Sequence, residues 1–142
     1  MLLSVLVIGS IMMVATIAIE AFVLGSAIHF LRNHGSKLAD FNPIPRTIIF
    51  LSTLSLWLLA GITAAVWLWA ALFIAIGEFQ SLEAALYFSI VTATTLGYGD
   101  LVLTDQWRLL SGMLAANGLF LFSLNTAFIF EAFRRLQAID EQ

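Results

Sequence analysis

Apolar residues run along this chain in long blocks instead of alternating with polar ones. Leu2 to Phe30 is the first block, broken only by Glu20 and a few small polar residues. Thr47 to Ile76 is the second and carries no charge, and Leu109 to Phe133 is the third, interrupted by Asn117, Asn125 and Glu131. A hydrocarbon core about 30 Å thick needs roughly 20 apolar residues in a helix, so the blocks predict three membrane-spanning helices. A fourth apolar segment, Leu82 to Thr94, covers about two-thirds of a span, the length of a re-entrant half-helix. Ser81 stands as its N-cap, and Glu83 puts negative charge in the first turn, where the helix dipole is positive. Non-helical backbone at membrane depth is tolerated only where it lines a cavity or is buried in protein. The residues after Leu82–Thr94 therefore read as a pore loop.

Composition agrees with a membrane chain. Hydrophobic residues make up 61% of 142, charged residues 11%, and the mean hydropathy is +1.01. Soluble domains carry about 25% charged residues, so this chain has too little polar surface to cover itself in water. With no cysteine there is no disulfide framework and no thiolate metal site. A net charge of −3 gives no sign of a nucleic-acid surface. Neither a nucleotide loop, a nucleophile–base constellation nor zinc spacing is present, which speaks against an enzyme. Arg32, Lys37 and Arg46 lie in the first connection, and Arg134 and Arg135 follow the third span, whereas Arg108 alone lies on the other side. The positive-inside rule then makes the 33–46 loop and the C-terminus cytoplasmic and the N-terminus external. The first block has no basic start and is too long for a signal peptide. Pro43 and Pro45 are expected to end the loop and open the second span near Thr47.

The segment that carries chemistry is Thr94-Thr95-Leu96-Gly97-Tyr98-Gly99-Asp100. Two glycines spaced by one residue relax the backbone limits that keep successive carbonyls from pointing the same way, and a threonine adds a hydroxyl oxygen to such a ladder. Together with the helix before it, this segment resembles the selectivity filter of the potassium channels. In that family a four-fold ring of loops replaces the hydration shell of K⁺ with backbone oxygens. The resemblance covers about 47–136: outer helix 47–76, pore helix 82–94, filter 95–100 and inner helix 107–135. The first helix, 1–32, has no counterpart in the two-helix members. The implied fold is all-α and integral to the membrane: three transmembrane helices, a re-entrant pore helix and an extended filter, assembled as a homotetramer in the cell membrane.

The resemblance assigns K⁺ coordination to the carbonyls of Thr95, Leu96, Gly97 and Tyr98, with Gly99 completing the filter. It makes Thr94, Asp100, Tyr87 and Thr92 filter supports, with Thr92 as the partner of the Tyr98 hydroxyl and Tyr87 in reach of Asp100. Leu96 stands where valine is commoner, and Val91 where some members place a glutamate that pairs with the aspartate after the filter. Gly118 falls at the inner-helix hinge, with close helix packing as its alternative reading, and alanine there is expected to be milder than alanine at Gly97 but to alter opening if the site bends. Leu119, Phe122, Thr126 and Phe130 follow helical spacing and could line a cavity, Phe122 and Phe130 as a hydrophobic constriction. Glu78, Glu83, Asp100 and Asp105 give the outer mouth four acids against Arg108. Glu131 is expected to pair with Arg134 and Arg135, and Glu20 has no evident partner.

The implied function is passive, K⁺-selective permeation. K⁺ is the permeant ion, and no organic cofactor is expected. A non-selective cation channel and a K⁺-translocating subunit of a transporter complex are the alternatives. No row of arginines marks a voltage sensor, and the chain is read as ending too soon for a cytoplasmic ligand-binding domain.

Overall fold

The computed structural model describes residues 2–38 and 43–140, with side-chain surroundings described for 2–30 and 44–137. Four helices follow one another: α1 (Leu2–Leu38), α2 (Pro43–Ala75), α3 (Leu82–Ala93) and α4 (Arg108–Asp140). Leu2–Phe30, Ile44–Ala75 and Arg108–Gln137 are long and apolar enough to cross a membrane, whereas α3 is not.

The helix boundaries differ from those read off the hydropathy blocks. Helix α2 begins at Pro43, not near Thr47, with Pro45 inside its first turn. The first turn is where proline's missing N–H costs nothing, because that donor has no intrahelical acceptor. Helix α1 runs on through His34, Gly35 and Ser36 to Leu38, and α4 continues to Asp140. The expected loop 33–46 is thus helical at both ends. Residues 39–42 and the side chains of Arg32, His34 and Lys37 lie outside what is described.

Neighbouring residues give the packing directions. From α1 to α4, Gly9 lies against Leu110 and Met113, Thr16 against Asn117, and Ala27 shares a cluster with Ala132. Positions rise together, so α1 and α4 are parallel. Against α2 the order reverses: Glu20 meets Gly61, and Phe30 stacks on Trp57 at 5.8 Å. Helix α3 packs between α2 and α4.

Trp69 and Phe73 are fully buried at the upper level with Val5, Phe88, Leu110 and Leu114. Phe88 meets Phe73 edge-on at 5.3 Å and Phe79 at 5.2 Å, offset geometries that suit the ring quadrupoles. Phe50, Leu54, Leu58 and Leu136 form a second cluster toward the other end. Between apolar helices in lipid, close packing and interhelical hydrogen bonds replace water exclusion as the cohesive force. Phe88 therefore braces α3 against α2 by packing alone.

Candidate functional site: the turn after α3

Helix α3 starts at the expected cap. The Ser81 hydroxyl accepts from the Ala84 N–H at 3.2 Å, and Glu83 is the acid of the first turn. At the other end Thr94 is the C-cap; its hydroxyl donates to the Ile90 carbonyl at 2.8 Å. The next backbone donors all turn back onto the helix end. The Thr95 N–H reaches the Thr92 carbonyl at 2.9 Å, and the N–H groups of Leu96 and Gly97 both reach the Val91 carbonyl, at 3.0 and 3.2 Å.

The backbone then alternates. Thr95, Gly97 and Gly99 have positive φ, at 60°, 56° and 78°, while Leu96 and Tyr98 do not. Alternation of handedness turns successive peptide groups toward a common side. With their N–H groups held against α3, Leu96 and Gly97 present a different face to the open side. A Cβ at Gly97 or Gly99 would meet nothing within 4 Å, so glycine is needed there for its φ and not for room. Thr95 is the position the sequence did not reveal. A left-handed conformation at a residue bearing a Cβ costs about 1–2 kcal/mol, and the type of residue at 95 carries no signal of it.

Tyr87 and Asp100 come together. The Tyr87 hydroxyl donates to Asp100 Oδ2 at 2.7 Å, tying α3 to the far end of the turn. That bond, with the adjacent carboxylate charge, pushes the phenol's ionisation above its ordinary 10.0. The neutral, donating form of Tyr87 is therefore the one present at ordinary pH. Thr92 and Tyr98 do not pair within one chain; the Tyr98 ring is 67% exposed.

The acidic rim is less free than its charges suggest. Glu78 takes both the N–H and the hydroxyl of Thr104, at 2.8 and 2.7 Å, and so closes the loop after the turn. Asp105 pairs with Arg108 at 3.2 Å, which leaves Glu83 and Asp100 as the acids nearest α3. At the opposite end of α4, Glu131 bonds Arg135 at 2.8 Å and lies 3.9 Å from Arg134, as expected.

Gly118 is pressed against the backbone of Ala93, the last residue of α3, and a Cβ there would run into the Ala93 carbonyl. The geometry thus favours the close-packing reading of this glycine. On the same helix Leu119 and Phe130 are 56% and 63% exposed, on a face that α1 and α2 leave uncovered. Phe122 is partly covered, in a small cavity beside Ala93 and Gly118.

Sequence reading missed the polar contacts of α1. Asn117 donates to the Thr16 hydroxyl at 2.7 Å in the buried interior. Glu20 is 0% exposed, facing Gly61 on α2 and Asn125 on α4. A signal existed: Thr16 and Glu20 are four residues apart, on one face of α1.

A short helix ending in a turn of alternating φ, carried between two spanning helices, has the layout of a membrane pore module. The chain belongs to the ion channel family, whose sequence profile matches residues 52–135, more than half of it. It is accordingly an ion-channel protein of the multi-pass membrane class and not an enzyme. The voltage-gated potassium channel regulatory subunit KCNG3 of Mus musculus is 37% identical over 57 residues, 39% of this chain. The subunits of that name from Rattus norvegicus and Homo sapiens match to the same extent. The matched stretch spans only 13% of those relatives' length. No solved structure matches.

Proposed function

We propose that the protein is a K⁺-selective channel subunit, working as a homotetramer, in which ions pass down their gradient over the carbonyls of Thr95, Leu96, Gly97 and Tyr98. The observation that carries this reading is the set of backbone donors at 95–97 turned onto α3, together with alternating φ at 95, 97 and 99. Four such turns around an axis supply a ladder of oxygens, with the Thr95 hydroxyl at its inner end. The C-terminal end of α3 adds partial negative charge that favours a cation below the turn. Glu83 and Asp100 favour one above it. Thr94 and the Tyr87–Asp100 bond hold the ends of the ladder, and Tyr98 and Thr92 are left for contacts between subunits.

In this reading the N-terminus and the 77–107 segment face outward, and the C-terminus is cytoplasmic. The exposed face of α4 with Leu119, Thr126 and Phe130 turns toward the axis, Phe122 and Phe130 narrow the inner path, and Gly118 fixes the height at which α4 crosses α3. Leu96 is the feature that favours the non-selective alternative, since it packs differently from a β-branched residue behind the ladder. The test is reconstitution of the purified protein in planar bilayers under bi-ionic conditions. Selectivity for K⁺ predicts a reversal potential displaced far from zero with K⁺ on one side and Na⁺ on the other. A reversal near zero overturns it in favour of non-selective conduction.

A further inference from the structure

Glu20 is the one acidic side chain among the described residues that is fully buried, at 0% exposure. It lies about 15 Å along α1 from Phe30, the end of the apolar block, well inside the span. Neither carboxyl oxygen makes a hydrogen bond of good geometry; the polar group facing it is the Asn125 amide of α4, close enough to interact with it but likewise without a well-formed bond. From α2 the facing residue is Gly61, whose missing side chain makes the space the carboxyl occupies: a Cβ there would come within 2.5 Å of Glu20 Oε2.

Among the described residues no cation approaches from any packed element. On α2 the one charged residue is Arg46, about 22 Å along the axis from Gly61. On α4 the nearest is Glu131, about 9 Å beyond Asn125 and already joined to Arg134 and Arg135. On α1 itself the nearest titratable group is His29, about 13 Å away. A buried carboxylate without a cation or a set of donors carries a desolvation cost of several kcal/mol. The same pocket accepts the neutral acid, which can donate to Asn125 Oδ1 and accept from its amide.

We propose that Glu20 is a proton-binding site and that its protonation state switches the packing of α1 on the inner helix α4. The neutral carboxyl seats α1 against Gly61 and Asn125. Loss of the proton to water leaves a carboxylate that the pocket cannot hold, and α1 shifts away from α4 to hydrate it. Asn125 lies seven residues, about 10 Å, below Gly118, the point where α4 crosses the end of α3. A change in how α4 is held at Asn125 is therefore transmitted to the segment that frames the inner path. This rests on the channel reading for its functional output and on the pocket alone for the proton.

The experiment uses the whole reconstituted protein and has two readouts. Infrared difference spectra between about pH 5 and about pH 9 should show loss of a neutral-carboxyl band that Glu20→Gln abolishes. Over the same range wild-type K⁺ flux should change about fivefold or more. Glu20→Gln, an isosteric mimic of the neutral form, should hold the acid-limb flux at every pH. Asn125→Leu removes the polar group that faces the carboxyl from α4 and should change the pH dependence of the flux. The proposal is overturned if no band titrates with Glu20, or if Glu20→Gln keeps the wild-type pH profile. A wild type that carries no K⁺ at any pH sinks the channel reading instead, and the infrared band then decides the proton site.

Discussion

Gly97 and Gly118 are both glycines, and the chain needs them for opposite reasons. Gly97 stands at φ 56° with open space around its Cα. Alanine there meets a backbone penalty of about 1–2 kcal/mol, relieved by turning the peptide group and breaking the ladder. Gly97→Ala is expected to abolish K⁺ flux while the protein still elutes as the wild-type oligomer in size-exclusion chromatography. Gly118 has an ordinary helical backbone and no space, because the Ala93 carbonyl lies where its Cβ would be. The gain of about 1 kcal/mol in helix propensity is set against an overpacking cost of about 1–3 kcal/mol, here imposed on backbone that cannot rotate away. Gly118→Ala should therefore lower thermal stability and displace the end of α3, with reduced flux; wild-type melting together with altered opening would favour a hinge role instead. The segment Thr94–Asp100 was legible in the sequence because few contexts ask for two spaced glycines after a short apolar helix. The left-handed Thr95 was not, because nothing in a threonine's identity records the sign of its φ.

At the scale of helices, the number and type of elements were legible from length alone, as three blocks could span and one could not. Their ends were not. Proline at a first turn looks the same in sequence as proline in a loop, and Pro43 and Pro45 prove to be the former. The attachment of α1 to the module was hidden for a different reason: apolar blocks facing lipid and protein alike show little periodicity. Its clearest bond is Asn117 to Thr16, but the Thr16 hydroxyl also reaches the Met12 and Met13 carbonyls at 3.0 and 2.9 Å, so it keeps partners when Asn117 is gone. Polar contacts of this kind in membranes average about 0.6 kcal/mol. Asn117→Leu is expected to destabilise by about that amount in a detergent unfolding titration. A loss above about 2 kcal/mol would mean that α1 depends on this bond far more than such contacts usually allow.

For the whole molecule, the parallel run of α1 and α4 and the antiparallel α2 between them require alternate crossings of the bilayer. The positive-inside rule predicts position 105 outside and position 37 inside. The chain has no cysteine of its own, so Asp105→Cys and Lys37→Cys can each be tested with a membrane-impermeant thiol reagent on intact cells. Labelling of 105 and protection of 37 is expected; the reverse, or labelling of both, breaks the topology. The same parallel arrangement bears on biogenesis. Thr16 and Asn117 are 101 residues apart, and α4 leaves the ribosome after α1, α2 and α3. Until it arrives, α1 sits in the bilayer with Thr16 and Glu20 facing no finished partner. An acidic side chain near the centre of a lone helix costs about 2.5–3.5 kcal/mol on insertion scales. The rest of the helix repays that, with Leu2, Leu3, Leu6, Val7, Ile11, Val14 and Phe22 all turned outward. Helix α1 can thus enter the membrane early but cannot complete its fold there. A nascent chain stalled before Arg108 would expose its polar flank to the cell's membrane quality control, which makes completion of α4 the step that certifies the subunit.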